Sequence, residues 1–410
     1  MFRKRRFGLS FAGFCSVVAL TLVGGACESS DEPQGRVGDD AGEPHDAGEP
    51  HDAGQPHDAG EPHDAAGPDA ARPDAGSEAP VWLAAASDHT CAIRSDRTLW
   101  CWGANEYGQL GDGSTTARER PGQVGTDADW LAIDTSASHS CGLRSDGTLW
   151  CWGANDRSQL GAPAGEPSLT PAVVGERRWQ VIAVAAGNTC AIDFDGALSC
   201  WGSGLMGGPP DAGRWVAISL TGGHACGIRE DGRRECWGEN NWGQLGDDQP
   251  REGWAHLSAG GADDYGYTCG RREGGSLWCF GYNVTGQLGL GPEQPGVTGG
   301  RLEGADWTWV ASGRSAQGTY FAHTCGLKQA GTLWCWGHNE HGQLGNGPSL
   351  GTDIPGQVGS DDNWTTVKAG NAHTCGGKND GSIWCWGANE NGQLGVLGPS
   401  QVPRQVDFDR

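Results

Sequence analysis

Fourteen cysteines fall into seven pairs, Cys91/Cys101, Cys141/Cys151, Cys190/Cys200, Cys226/Cys236, Cys269/Cys279, Cys325/Cys335 and Cys375/Cys385, with the same separation in every pair. Thiols at a fixed spacing either ligate a metal or join as disulfides, and zinc sites use much closer cysteines together with histidines. A second reactive set stands two residues before the first cysteine of each unit: His89, His139, Asn188, His224, Tyr267, His323 and His373. Repeated imidazoles suit a metal or a proton relay, but Asn188 and Tyr267 interrupt the set, and one residue per unit does not assemble a compact coordination sphere. The expectation is a structural hydrogen bond within each unit, with no metal and no cofactor. No P-loop or HExxH motif appears.

The cysteine spacing implies an antiparallel hairpin. If Cys91 faces Cys101, then Ala92 faces Trp100 and Ile93 faces Leu99, leaving Ser95, Asp96 and Arg97 as a three-residue loop. Alternation along the strands puts Cys91, Ile93, Leu99 and Cys101 on one face and Trp100 and Trp102 on the other. Such a loop needs its last residue in the left-handed region, and six units place glycine there, Gly147, Gly196, Gly232, Gly275, Gly331 and Gly381, with Arg97 the exception. Facing cysteines on adjacent strands lie within bonding reach. Seven disulfides are therefore expected, one per hairpin, each worth about 2–3 kcal/mol through a restricted unfolded chain.

Each unit opens with a tryptophan, Trp82, Trp130, Trp179, Trp215, Trp254, Trp309 or Trp364, in a stretch such as "WQVIAVAAG" that reads as an inner strand. Segments such as "PGQVG" at Pro121 and Pro355 read as an outer one, making four strands per unit. Successive units begin 36 to 56 residues apart, among the periods of architectures that stack or close into propellers. The order His, Thr, an Asp-Gly hairpin and then WGxNxxGQLG resembles the regulator of chromosome condensation repeat family. That resemblance implies an all-β, seven-bladed β-propeller of four-stranded antiparallel blades. GQLG is intact at Gly108, Gly243, Gly286, Gly342 and Gly392, opens with Ser158 in unit two and decays to "GLMG" at Gly204 in unit three.

Three regions are expected. Residues 1–26 carry Arg3, Lys4, Arg5 and Arg6 before an apolar run, and with Cys27 they resemble a bacterial lipoprotein signal whose cysteine receives lipid. Residues 27–80 hold four hexamers of the AGEPHD type, and 15 acidic against 2 basic residues from Glu28 to Pro80 read as a disordered tether. Its His45, His51, His57 and His63 are solvated spacer residues or weak ligands for a divalent metal. Residues 81–410 form the propeller, its ring closed by pairing the C-terminal strand "PSQVPRQVDFDR" with the first unit.

With 51 acidic against 28 basic residues, the chain is a poor partner for nucleic acid. The best-known members of the family act on a small GTPase, but no exchange residues match here, so that partner is not expected. The hairpin turns, such as "SDGTLW" from Ser145, compress the SxDxGxTxW spacing of propeller sialidases, which leaves a carbohydrate-active enzyme as the weakest reading. Units five and six are longer before their first cysteine, in "GGADDYGY" and "SGRSAQGTYFA". Adjacent blades project these insertions from one end, bringing Asp263, Asp264, Tyr265, Arg314, Tyr320 and Phe321 together as a candidate partner-binding set; tolerated insertion is the alternative. The reading that follows is a non-enzymatic, membrane-anchored extracytoplasmic scaffold, in the bacterial envelope at the outer membrane or cell surface, presenting loops to a protein or glycan. A structural envelope component is the second reading.

Overall fold

The computed structural model of the protein describes residues 82–408 except 204–207, 210–211, 263–264, 293–297 and 315–321. The signal, Cys27 and the tether lie outside the described residues, as do Asp263, Asp264, Tyr320 and Phe321. What is described is a ring of seven antiparallel sheets. The first blade comprises Trp82–Ala85, His89–Ile93, Leu99–Gly103 and Arg118–Gln123, paired in sequence order.

The hairpin register follows the cysteine spacing. Cys91 faces Cys101, Ala92 faces Trp100 and Ile93 faces Leu99. Cys141 faces Cys151 in blade two, Cys190 faces Cys200 in blade three and Cys226 faces Cys236 in blade four. Cys269 faces Cys279, Cys325 faces Cys335 and Cys375 faces Cys385 in the last three. All seven pairs are joined as disulfides, with Cα atoms 4.0–4.2 Å apart. The last loop residue is left-handed throughout, at φ 78° for Gly147 and at 63° for Arg97, which tolerates the strain.

Alternation turns each blade into a two-faced wedge. The disulfide face of blade one, Cys91, Ile93, Leu99 and Cys101, packs on Trp130, Ile133 and Trp152 of blade two. Its opposite face, with Leu83, Ala92 and Trp102, packs on Cys375, Ile383 and Cys385 of blade seven. The same sulfur-against-tryptophan arrangement fills the other joints. Cys141 and Cys151 share a core with Trp179 of blade three, Cys269 and Cys279 with Trp307 and Trp336 of blade six, and Cys325 and Cys335 with Trp364 and Trp386 of blade seven. Cys190 and Cys200 meet Trp215 and Trp237 of blade four, and Cys226 and Cys236 meet Trp254 of blade five, where Phe280 takes the buried tryptophan's place. Trp102, Trp152, Trp336 and Trp386 have no exposed surface. Apolar burial on this scale supplies the main cohesion between blades.

Three expectations require correction. The C-terminal strand Ser400–Gln405 pairs with Ile383–Gly387 of its own unit and not with the first unit. Blades one and seven are each complete from contiguous chain, so neither leaves an edge for the other. Closure is by side chains: Val406 joins the core with Trp102, and Phe408 meets Trp100 and Trp102 edge-on at 5.6 and 5.9 Å. Second, the four-stranded plan holds in five blades, while blades three and four have three strands among the described residues. Residues 239–253 link blade four onward, against 104–129 in blade one, too short to return as a full outer strand. Third, the core tryptophan of unit six is Trp307, opposite Lys328, while Trp309 turns toward the axis.

The missing outer strands leave a chemical mark. Cys200 and Cys236, on the third strands of blades three and four, are half-buried. Their counterparts Cys101, Cys151, Cys279, Cys335 and Cys385 are at most 1 % exposed, as are the cysteines they face. Titrating the native protein with a small phosphine and an alkylating reagent should label Cys190, Cys200, Cys226 and Cys236 before any other pair. Uniform labelling read by peptide mapping would contradict the burial difference.

Candidate functional site

The repeated histidines belong to the joints between blades. His89 Nε2 lies 3.0 Å from Ser140 Oγ of the next blade, and that hydroxyl donates to the Gln109 carbonyl at 2.9 Å. Trp152 Nε1 donates to the same carbonyl at 2.8 Å. His139 with Thr189, His224 with Thr268, His323 with Thr374 and His373 with Thr90 repeat the pattern, each hydroxyl donating to the first glutamine carbonyl of the preceding GQLG-type loop. Because the hydroxyl's one proton goes to that carbonyl, the imidazole must donate from Nε2, which fixes a neutral tautomer. In blade five the Tyr267 hydroxyl takes this place, 3.1 Å from Thr324 Oγ1 and 2.8 Å from the His323 carbonyl. The bond expected within each unit is made at Nδ1 of His139 with Ser136 and of His224 with Thr221, at 2.7 and 3.0 Å, while Nε2 bonds the neighbouring blade.

The joint between blades three and four departs most. Asn188 stands for histidine in blade three, Ala225 for the hydroxyl in blade four, and unit three has no GQLG loop. Trp237 Nε1 is buried there with no hydrogen-bond partner among the described residues. Five histidines have their pKa driven by burial from 6.5 to about 3 at His89, His139 and His323 and to about 4 at His224 and His373. Nε2 of each histidine faces a hydroxyl of the neighbouring blade, so the histidines act as hydrogen-bond donors. The bonded cysteines belong to the same joints: the third-strand sulfurs Cys151, Cys279 and Cys335 are sealed in the cores with the tryptophans. Their part is structural.

The blade ends are a separate matter. In an up-and-down blade the loop after the first strand and the loop after the third emerge at one end, and the hairpin loop at the other. The third-to-fourth loops are clamped by their own side chains: Gln109 Oε1 accepts from Tyr107 N at 2.9 Å, and Asn105 Oδ1 accepts from Leu110 N at 2.9 Å. The second glycine of the motif lets the next blade approach; a Cβ on Gly111 would stand 2.7 Å from Trp152 Nε1. The same two clamps recur in blades two, four, five, six and seven. Between the constant asparagine and glutamine, the residue whose N–H is clamped differs each time: Tyr107, Arg157, Trp242, Thr285, His341 and Asn391. Tyr107 is 48 % and Trp242 42 % exposed.

This end also holds a cavity of about 470 Å³, walled by first-strand loops of blades one to four, Tyr107, Asn155, Asp156 and Arg157, with Gly261 and Arg314 from the two insertions. The roots of those insertions are joined by a bond from Gly261 N to the Gly313 carbonyl at 2.8 Å. Tyr265 lies in an aromatic cluster, 4.9 Å from Tyr282 and 6.1 Å from Trp242. Arg314 is not on the outer surface with Tyr265. Its Nη1 crosses the axis to Asp134 Oδ1 at 3.2 Å and to the carbonyls of Thr135 and Val184 at 3.2 and 2.6 Å. Beneath it a small axial space of about 30 Å³ is lined by His256, Trp309 and Lys368, with His256 and Trp309 stacked at 4.0 Å. Sequence reasoning passed over Tyr107, Arg157, Trp242 and His341 because they sit inside a signature motif; their variation within that motif was the available signal.

Two sequence profiles described as the regulator of chromosome condensation (RCC1) repeat match the chain, one over 97–143, 146–192, 330–376 and 380–410 and the other over 83–109, 130–159 and 364–393. The stretch from 193 to 329, with the incomplete blades and unit five, matches neither. Among solved structures, Prp20p from Saccharomyces cerevisiae, described with its binding to Gsp1p and histones, superposes with a TM-score of 0.65 at 19 % identity, covering 80 % of this chain and 88 % of that one. Human WBSCR16 does so at 0.64 and 17 % identity, over 76 % and 94 %. No curated protein matches the chain. At these identities the likeness shows the fold.

The neutral imidazoles link stability to pH. Their folded pKa values lie below the unfolded value of 6.5, so the stabilisation is complete above pH 6.5 and is lost as pH falls toward 4. Each of the five contributes at most about 1.4 kcal/mol per pH unit; Asp88, whose pKa burial raises, opposes them as one group. The guanidinium unfolding midpoint should fall steadily from pH 7 to pH 5, and replacing His323 and His373 by glutamine should flatten that slope. A midpoint unchanged over this range would show the imidazoles to be protonated in the folded protein.

Proposed function

Starting from a chain that belongs to the regulator of chromosome condensation repeat family, we propose that it is a non-enzymatic binding scaffold whose partner docks on the end bearing the GQLG loops and the two insertions. The observation that carries this reading is the crown of clamped loops. Their backbone is held by the same asparagine and glutamine bonds in six blades, while the side chain presented changes from Tyr107 to Arg157, Trp242, Thr285, His341 and Asn391. Rigid loops lose little entropy on association, and Tyr, Trp and Arg are the residues that anchor interfaces.

The chemistry of the end supports a protein or glycan partner. Nucleic acid fits poorly, since 28 basic residues are outnumbered by 51 acidic ones. Binding to Gsp1p and histones belongs to Prp20p; in this chain seven disulfides suit an oxidising, extracytoplasmic setting, where a cytosolic GTPase would not be met. No helix long and apolar enough to cross a membrane occurs among the described residues, and attachment through lipid on Cys27 with the 27–80 segment as spacer completes the reading. Tyr265 extends the binding end, and Arg314 serves it from below.

The test uses the oxidised propeller as bait against envelope extracts and a glycan array. A Tyr107→Ser, Arg157→Ser, Trp242→Ser variant should lose at least about tenfold in affinity for whatever the wild type retains, since each anchor is worth about 1 kcal/mol or more. Phe194→Ser, at an exposed hairpin tip of the other end, should bind as wild type. Equal loss in both variants, or in neither, would reject the assignment of the binding end.

A further inference from the structure

The cavity at the binding end has one charged group built into its floor. Arg314 is only 18 % exposed in its side chain, and the bonds it makes among the described residues all leave from one nitrogen. Nη1 serves the Asp134 carboxylate and the carbonyls of Thr135 and Val184. Asp134 is itself held by Thr135 N at 2.9 Å and Val184 N at 2.7 Å, so the anchor has no freedom to swing. The Nε and Nη2 hydrogens have no acceptor among the described residues, and Arg314 lines the cavity. That edge is the one on which two N–H groups point in parallel, the geometry that matches the two oxygens of a carboxylate.

We propose that the cavity receives a carboxylate group, which forks onto Nε and Nη2 of Arg314. The rest of the lining agrees with a ligand carrying one such group on a polar body. Ala86, Ala137, Ala185 and Gly222 line it with small groups, Arg157 stands at the wall paired with Asp156 at 3.6 Å, and Tyr107 offers an exposed ring at the rim. The enclosed volume of about 470 Å³ lies in the range of small-ligand sites. Held rigidly and mostly out of water, the guanidinium has already met the cost of ordering, so the second pair of hydrogen bonds is made at little further entropy. The inference rests on the assignment of this end as the binding face and names the chemistry that it recognises. The carboxylate comes from an acidic side chain of a protein or from a uronic acid of a glycan.

The experiment titrates the oxidised propeller with N-acetylglutamate, glucuronate and inorganic phosphate, each carboxylate beside its uncharged counterpart, N-acetylglutamine or the glucuronate methyl ester. Calorimetry gives affinity, and the arginine Nε–H resonance of ¹⁵N-labelled protein reports the contact directly. At least one carboxylate should bind about tenfold or more tightly than its uncharged counterpart and shift the Arg314 Nε–H signal. Arg314→Lys keeps a charge able to reach Asp134 but lacks the fork, and should lose that preference while retaining the wild-type melting temperature. Should it melt early, the resonance shift in the wild type decides. Acid and uncharged forms binding equally, phosphate alone binding, or Arg314→Lys binding undiminished would overturn the carboxylate assignment; none of these would touch the crown variants, whose failure alone rejects the binding end.

Discussion

A single backbone carbonyl per joint organises this protein. The glutamine of each GQLG-type loop offers two lone pairs to the next blade, and both are taken in most joints, one by a tryptophan Nε1 and one by a threonine or serine hydroxyl. A buried carbonyl left without partners is costly, and indole and hydroxyl groups buried without acceptors are costly too. The joint therefore draws on loop, tryptophan, hydroxyl and imidazole together, with Phe280 standing for the tryptophan in blade five and Tyr267 for the imidazole. This explains why the motif elements are spread along a unit yet repeat together: they meet in space across two units.

The exception obeys the same logic. At the joint between blades three and four the loop, the imidazole and the hydroxyl are all absent, which is less costly than losing one of them. The chain also lacks the outer strands of these two blades among the described residues. Across the axis, Arg314 ties blade six to Asp134 and Thr135 of blade two and to Val184 of blade three. An insertion from one side of the ring thus adds bonds beside the joint that has lost its own.

The division of labour between the two ends follows from how the loops are built. Hairpin loops of three residues end in a left-handed residue and turn the chain with little else to offer. The loops at the other end are longer, held by side-chain to backbone bonds, and free to vary at the position that faces outward. Where the scaffold bears the cost of order, a substitution at the presented residue changes recognition without changing fold. The cavity and Arg314 sit at this end because both insertions fall between first and second strands.

Strand register, disulfide pairing and the two faces of each blade were legible in the sequence, because all three depend on spacing within one hairpin and on the alternation of side chains. The left-handed loop position at Arg97 was legible for the same reason. The spacing did not say which neighbour would cover each sulfur: Cys151, Cys279 and Cys335 are sealed, while Cys200 and Cys236 are half-open in the two blades that have three strands among the described residues. Other contacts beyond its reach likewise depend on which units become neighbours. The histidine bonds run between blades, Trp309 turns to the axis while Trp307 enters the core, the last strand completes its own blade, and Arg314 crosses the ring to Asp134. Local geometry is written in local spacing; contacts that close a ring involve residues up to 180 positions apart, as for Arg314 and Asp134, or 283, as for Thr90 and His373, and only packing the wedges together decides them.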